Sequence, residues 1–394
     1  MIMIISTFLM HGLAQECPID RLAVYVLDLP TKYNSDLLSN LERKVKDRGG
    51  DPRSHYSVFS LQIFEVYIHK WMLESSCRTK DPHAANLFYI PFYSYCAGRF
   101  ENNTTALVTD LKHEVENYGG GTFWHRFCGA DHVMAFNMHG NLKTYWTQFS
   151  APMQILKDVF NILRIPSLKR IESLMYRTVL IPYYVNNPLI AQFDMKSAPR
   201  ERSILLSFFG TSRGGSPKKN VVRRPLKELL IRCNDCEYVE LRNRFSLAEM
   251  DTAAKTYIRS KFCVIPRGDV PNSKRLFDAI FAGCIPVVVS DDIQLPFTNV
   301  IDYSKFLLRF SEADVLANAT IVLDALHAFT PVDIERYQEN LLFAREKLEF
   351  PSMNESDSHP KGAFLNLLNS LQSRREMFSA LEAPMHKTCI NQFD

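Results

Sequence analysis

The stretch VIPRGDVPNSKRLFDAIFAGCIPVVVS (264–290) decides the fold. It begins apolar, breaks into the polar turn PRGDVP, passes through a mixed segment and closes in a second apolar run. Lys261–Ile265 and Ile285–Val289 are short, unbroken and rich in β-branched residues, the pattern of strands buried on both faces of a parallel sheet. Between them, Asn272 or Ser273 can cap a helix that runs to about Ala282, and Gly283 can end it in a left-handed conformation. Leu276, Phe277 and Ile280 share the helix face that must pack on the sheet, while Lys274, Arg275 and Asp278 share the other. Two parallel strands joined by a helix make one βαβ unit.

The same pattern extends outward in both directions. LAVYVLD (22–28), NLFYIPFY (86–93), HVMAF (132–136) and TVLIPYYV (178–185) read as strands of a first half. ILLSFFG (204–210), YVEL (238–241) and FLLRF (306–310) join the opening stretch in a second. Residues 56–74, 221–233 and 247–258 carry apolar side chains at helical spacing. Residues 312–350 carry two helical patterns split at Thr330-Pro331, with Thr330 as a cap for the second. Periodicity is lost over NNPLIAQFDMKSAPRER (186–202), which marks a domain boundary. At 394 residues the chain exceeds one core. The expected organisation is an apolar segment (1–16), an α/β domain (17–190), a second α/β domain (191–330) and a helical tail (331–394).

A net charge of +3 gives no reason to expect nucleic acid as a partner. Residues 1–14 are apolar but shorter than the roughly 20 needed to span a bilayer, so they read as a signal segment or a truncated anchor. Nine cysteines, and N-x-S/T sequons at Asn102, Asn103, Asn318 and Asn354, suit a lumenal or secreted protein. Cys233 and Cys236 lack the second ligand pair that a zinc site requires, so a disulfide or two plain thiols is expected.

The polar break in the opening stretch carries the chemistry. A helix start presents free backbone N–H groups and the positive end of the dipole, so it favours an anion such as phosphate. Arg267 stands just before it, and Asp278 can accept hydrogen bonds from sugar hydroxyls. Together they outline a nucleotide site. Two plainer readings stay open: Asp278 pairs with Lys274 at i, i+4, and Arg267 ties down its own loop.

SKFCVIPRGDVPNSKRLFDAIFAGCIPVVVSDDIQLPF (260–297) closely resembles the core of the exostosin-like glycosyltransferases, plant-type branch. VYVLDLPTKYN (24–34), RTKDPHAANLFYIPFY (78–93), FWHRFCGADHVMAF (123–136), FFGTSR (208–213) and VVRRPLKELL (221–230) resemble further segments of that family, with His125 where Asn is usual. The resemblance implies a GT-B fold, two Rossmann-like domains facing across a cleft. It implies transfer of a sugar from a nucleotide diphosphate donor, a UDP-sugar, to a cell-wall or matrix glycan, with inversion. It also implies a Golgi type II membrane protein. The chain has no Asp-x-Asp, so no metal or other cofactor is expected. Arginines and helix N-termini can neutralise the leaving diphosphate instead.

On this resemblance Arg267 serves the diphosphate, with Arg213 or Thr211 assisting. Asn272 and Ser273 add hydrogen bonds at the helix start, and Asp278, where the family often has Glu, holds the ribose. Arg223 either faces the phosphates or sits on the surface. Inversion needs a base, and the candidates are Asp131, His132, His139 and Asp28. Tyr93, Tyr95 and Trp124 either stack on acceptor sugars or belong to the core. A homo- or hetero-oligomer is compatible with the sequence. Two alternatives stand beside the transferase: a non-catalytic exostosin-like partner subunit, and another nucleotide-dependent α/β enzyme.

Overall fold

The computed structural model describes residues 16–47, 64–101, 103–136, 153–156, 177–197, 202–212, 217–241, 247–351 and 360–382. Arg213, His139, Asn102, Asn354 and the apolar start lie outside them. Two sheets organise the chain. The first has strands in the order β2-β1-β3-β4-β5-β6, every pair parallel. These are β1 Val24–Val26, β2 Arg78–Thr79, β3 Leu87–Tyr89, β4 His132–Ala135, β5 Met153–Leu156 and β6 Thr178–Leu180. The second has the order β11-β10-β9-β7-β8, again all parallel. Its strands are β7 Ile204–Gly210, β8 Cys236–Glu240, β9 Ser260–Pro266, β10 Ile285–Val289 and β11 Leu308–Arg309.

Strands β3, β7 and β10 are buried at every residue, as strands covered by helices on both faces must be. The crossover helices include α1 Ser35–Asp47, α2 Phe64–Glu74, α3 Ser94–Phe100 and α4 Thr104–Asn117 in the first domain. The second has α5 Pro217–Arg232, α6 Leu247–Arg259 and α7 Lys274–Phe281. This is the GT-B-like architecture of two Rossmann-like domains. Two strands escape the sequence reading for a plain reason: β2 is only Arg-Thr, and β5 is a four-residue MQIL without a β-rich run.

The opening stretch folds as its spacing predicts. The Ser273 Oγ accepts from the Arg275 N–H at 3.3 Å, capping α7. Gly283 follows the last turn at φ 66°, and its N–H donates to the Ile280 carbonyl at 3.1 Å. Leu276, Phe277 and Ile280 are buried. A disulfide, Cys263–Cys284, ties β9 to the residue before β10. Cys17–Cys77 and Cys233–Cys236 are also disulfides, so the two thiols of the CxxC are held by each other.

The C-terminal region is more than a tail. After α8 (Glu312–Ala317), α9 (Pro331–Leu348) begins at a capping box in which Thr330 and Asp333 satisfy each other's backbone. It packs on α7 and β10. Helix α10 (Gly362–Glu382) then returns to the first domain. Its Arg374 donates to the Thr178 carbonyl in β6, while Phe350 stacks on Trp71 of α2 at 4.8 Å between ring centroids and Phe364 packs beside them.

Candidate active site

Each sheet reverses its strand order once: between β1 and β3 in the first, and between β7 and β9 in the second. At such a reversal the loops leaving the two strands diverge and open a crevice at the carboxyl edge, where ligands of open α/β sheets bind.

At the second-domain crevice three arginines converge. Arg267 leaves β9 with its N–H on the Val289 carbonyl at 2.9 Å. Its side chain is only 5% exposed, and Nη1 meets Glu312 Oε1 at 3.1 Å and Asp292 Oδ2 at 3.6 Å. Its Nε is buried without a partner. Arg223 of α5 is no surface residue: it is 2% exposed and donates to the Arg267 carbonyl at 2.9 Å and the Thr211 carbonyl at 2.8 Å. It clamps the two loops together. Burial, then repulsion from Arg275, brings its pKa down to about 9. Arg275 donates to the Phe209 carbonyl at 2.7 Å and to the Ser273 Oγ at 3.2 Å. The Thr211-Ser212 loop is pinned from its far side as well. Glu240 accepts from the Ser212 N–H at 3.2 Å and from Lys227 at 2.9 Å.

The remaining candidates at this crevice are engaged within the fold. Asn272 donates to the Gln294 carbonyl at 2.9 Å and accepts from the Gln294 N–H at 3.1 Å. Ser273 caps α7 and accepts from Arg275. Asp278 pairs with Lys274 at i, i+4, with the two side chains 14% and 12% exposed. Glu312 escaped the sequence reading because 312–350 reads only as two helical patterns, with no site residue singled out among them. The signal was there: Ser311-Glu312 directly follows a strand, so it lands on the same carboxyl edge. Glu312 and Asp291 also bind each other's backbone N–H, at 3.1 and 3.0 Å, which fixes α8 beside the end of β10.

At the first-domain crevice, Asp28 follows β1 and is exposed. Around it the Tyr25 and Tyr118 hydroxyls meet at 2.8 Å, and Asp110 joins Lys32 to the Tyr33 hydroxyl. Burial, then the Asp110 hydrogen bond, pushes Tyr33 up to about 12. Burial and Tyr25 do the same for Tyr118. Both phenols therefore keep their protons at neutral pH.

Asp131 and His132 do not belong to this edge. His132 opens β4 rather than closing it, so both residues lie at the opposite end of a parallel sheet. Asp131 pairs with Arg126 at 2.6 Å and with His132 Nδ1 at 2.8 Å. The His132 ring is fully buried, stacked on Phe88 at 4.9 Å. Tyr93, Tyr95 and Trp124 are buried, which makes them core.

Two Rossmann-like sheets, one with an arginine-lined loop and helix start at its crevice and the other with a carboxylate, have the build of a glycosyltransferase. Residues 19–324 match the Exostosin GT47 domain. The chain belongs to that family and is a glycosyltransferase of the hexosyl or pentosyl kind. A probable glucuronosyltransferase of Oryza sativa subsp. japonica is 27% identical over 91% of this chain and 79% of its own. A probable arabinosyltransferase of Arabidopsis thaliana is 29% identical over 85% and 76%. Among solved structures, an alpha1,3-fucosyltransferase aligns over 94% of this chain and 93% of its own, with TM-score 0.37 and 10% identity. At that score the likeness carries no argument, and the fold stands on its own strand order.

Proposed function

We propose that the enzyme moves a sugar from a nucleotide diphosphate donor, a UDP-sugar, to a cell-wall polysaccharide with inversion at the anomeric carbon. Relatives named as a probable xyloglucan galactosyltransferase and a probable glucuronoxylan glucuronosyltransferase support the acceptor class. The observation that carries the donor reading is Arg267: a buried guanidinium at the β7/β9 crevice with one N–H unmet. In this reading the diphosphate takes that N–H together with the backbone N–H groups at the start of α7. Arg223 and Arg275 keep the loop in place and add positive potential. Asn272 and Ser273 position the loop through bonds they already make, with Arg213 beyond them on the neighbouring loop. Asp278, with Lys274, faces the ribose hydroxyls.

Asp28 takes the acceptor proton, because it is the candidate that stands exposed at the carboxyl edge by a strand-order reversal. No metal is needed, since the arginines offset the leaving group's charge. The Cys17–Cys77, Cys233–Cys236 and Cys263–Cys284 disulfides fit an oxidising compartment, and we place the enzyme in the Golgi lumen. Among the described residues no helix is long and apolar enough to cross a membrane.

Calorimetry with UDP tests the donor site. Arg267→Ala should weaken binding roughly 10- to 100-fold, the range expected for losing a charge-assisted hydrogen bond. Unchanged affinity in a folded variant would refute the phosphate role. Asp28→Asn should retain UDP binding and lose transfer.

A further inference from the structure

Of the four N-x-S/T sequons, two lie among the described residues, at Asn103 and Asn318. The second, Asn318-Ala319-Thr320, joins α8 to the helix Thr320–His327. Asn318 and Thr320 are both exposed, and the small side chains of Ala317 and Ala319 leave the approach open. The Asn318 backbone N–H donates to the Asp314 carbonyl at 2.9 Å, which closes the end of α8 and turns the side chain outward.

The amide of Asn318 is divided in its bonding. Its Oδ1 accepts from the Thr320 N–H at 3.0 Å and from the Thr320 hydroxyl at 2.9 Å. Its Nδ2 has no partner among the described residues. The sequon needs a hydroxyl at its third position, and here that hydroxyl already faces the asparagine it serves. A contact between residues two apart is local, so it forms without the rest of the fold. At Asn103 the side chain is used differently: its Oδ1 accepts from the Ala106 N–H at 3.1 Å and caps α4, and no bond joins it to Thr105 among the described residues.

We propose that Asn318 is a modification site and carries an N-linked glycan. The co-reactant is a lipid-diphosphate-linked oligosaccharide. Nδ2 attacks the anomeric carbon of that donor, a C–N bond forms and the C–O bond to the diphosphate breaks. The amide gives one proton to a base of the enzyme that performs the transfer, and the lipid diphosphate leaves. Oδ1 stays a carbonyl oxygen throughout, so both bonds from Thr320 survive the modification. The glycan also stands clear of the donor crevice. Glu312, at the start of α8, meets Arg267 there, whereas Asn318 follows the other end of that helix, roughly 9 Å further along its axis. The proposal rests on the lumenal placement above, since such glycans are added on the side of the membrane where disulfides form.

Mass spectrometry tests it. The full chain is produced behind a cleavable secretion signal in a plant cell line, and trypsin isolates the sequon within Phe310–Arg336. Release by peptide N-glycosidase in heavy-oxygen water converts an occupied asparagine into isotope-labelled aspartate. The label should appear at position 318. A peptide recovered without glycan or label overturns the proposal. Thr320→Ala should leave the peptide bare and Thr320→Ser should restore the glycan, and occupancy that survives Thr320→Ala overturns it too. UDP affinity should be the same before and after release, and a glycan that weakens it contradicts its placement away from the crevice. Occupancy behind the signal, with a bare Asn318 in protein isolated from its own tissue, refutes the lumenal placement alone.

Discussion

His69 shows how a single buried group ties stability to pH. Its Nδ1 lies 2.9 Å from the Tyr93 hydroxyl, and its ring stacks on Tyr89. Burial, aided by the nearby Arg78 charge, lowers its pKa from 6.5 to about 4. Burial also raises the Tyr93 pKa, so Tyr93 donates and a neutral His69 accepts. Above pH 6.5 the imidazole is neutral in folded and unfolded chains alike, and it adds no pH dependence. Between 6.5 and 4 the unfolded chain binds a proton that the folded one refuses, so stability falls as pH falls. Urea melts at pH 7 and 4.5 should show His69→Gln losing about 2 kcal/mol less than wild type over that interval. Equal losses would mean the imidazole titrates normally in the fold.

Glu312 makes a second prediction at the same scale. Its carboxylate occupies Arg267 at 3.1 Å, where the proposed phosphate would have to share it. Glu312→Gln should leave Arg267 short of a counter-charge and cost on the order of 3 kcal/mol. It should also let UDP raise the melting temperature by more than it does in wild type. A smaller UDP shift in Glu312→Gln would mean that Glu312 supports the nucleotide rather than competing with it.

At the scale of elements, the α7 terminus gives a direct test of how the opening stretch is specified. Gly283 sits at φ 66°, and a Cβ there would come within 2.7 Å of Arg202 Nη2, the group that binds the Ala282 carbonyl. Gly283→Ala should therefore cost about 1–2 kcal/mol from the backbone alone, and more if Arg202 is displaced. A thermal melt reads it, and an unchanged midpoint would show that the helix end relaxes freely. This terminus, the Ser273 cap and the β7 and β10 strands were legible because each rests on neighbours within one turn or one strand. So was the Thr330 cap. The site was legible only in part. Arg267 announces itself beside a helix start, but the same sequence logic placed Arg223 ambiguously, and it turned out to clamp two loops from within. Asp131 and His132 stand at the amino end of HVMAF, which chain direction alone fixes, so in an all-parallel sheet they fall on the edge opposite the ligand crevice. The place of Glu312 just after a strand marked the edge it lands on, but its partner lies 45 residues away and that of Arg374 lies 196 away, which no local pattern encodes.

Across the whole molecule, the returning C-terminal segment decides whether two domains behave as one body. Trp71, on α2, is 5% exposed and packs against Phe350, Phe364 and Tyr184, residues from the tail and from the segment joining the sheets. Beyond it α10 buries Leu367, Leu368 and Leu371 and bonds β6 through Arg374. Cleft geometry in a two-domain transferase depends on such a strap, because donor and acceptor groups sit on different sheets and must be held at reacting distance. Trp71→Ala removes the ring that tail and linker share, at a cost of about 3–5 kcal/mol. That loss falls on the junction rather than on either sheet, so calorimetry should show one transition in wild type and a broadened or split one in the variant. UDP should continue to shift the component that contains the β7/β9 crevice, and transfer should drop although UDP still binds. One sharp transition, lowered but undivided, would place the coupling in Arg374 and the α10 leucines instead of the Trp71 stack.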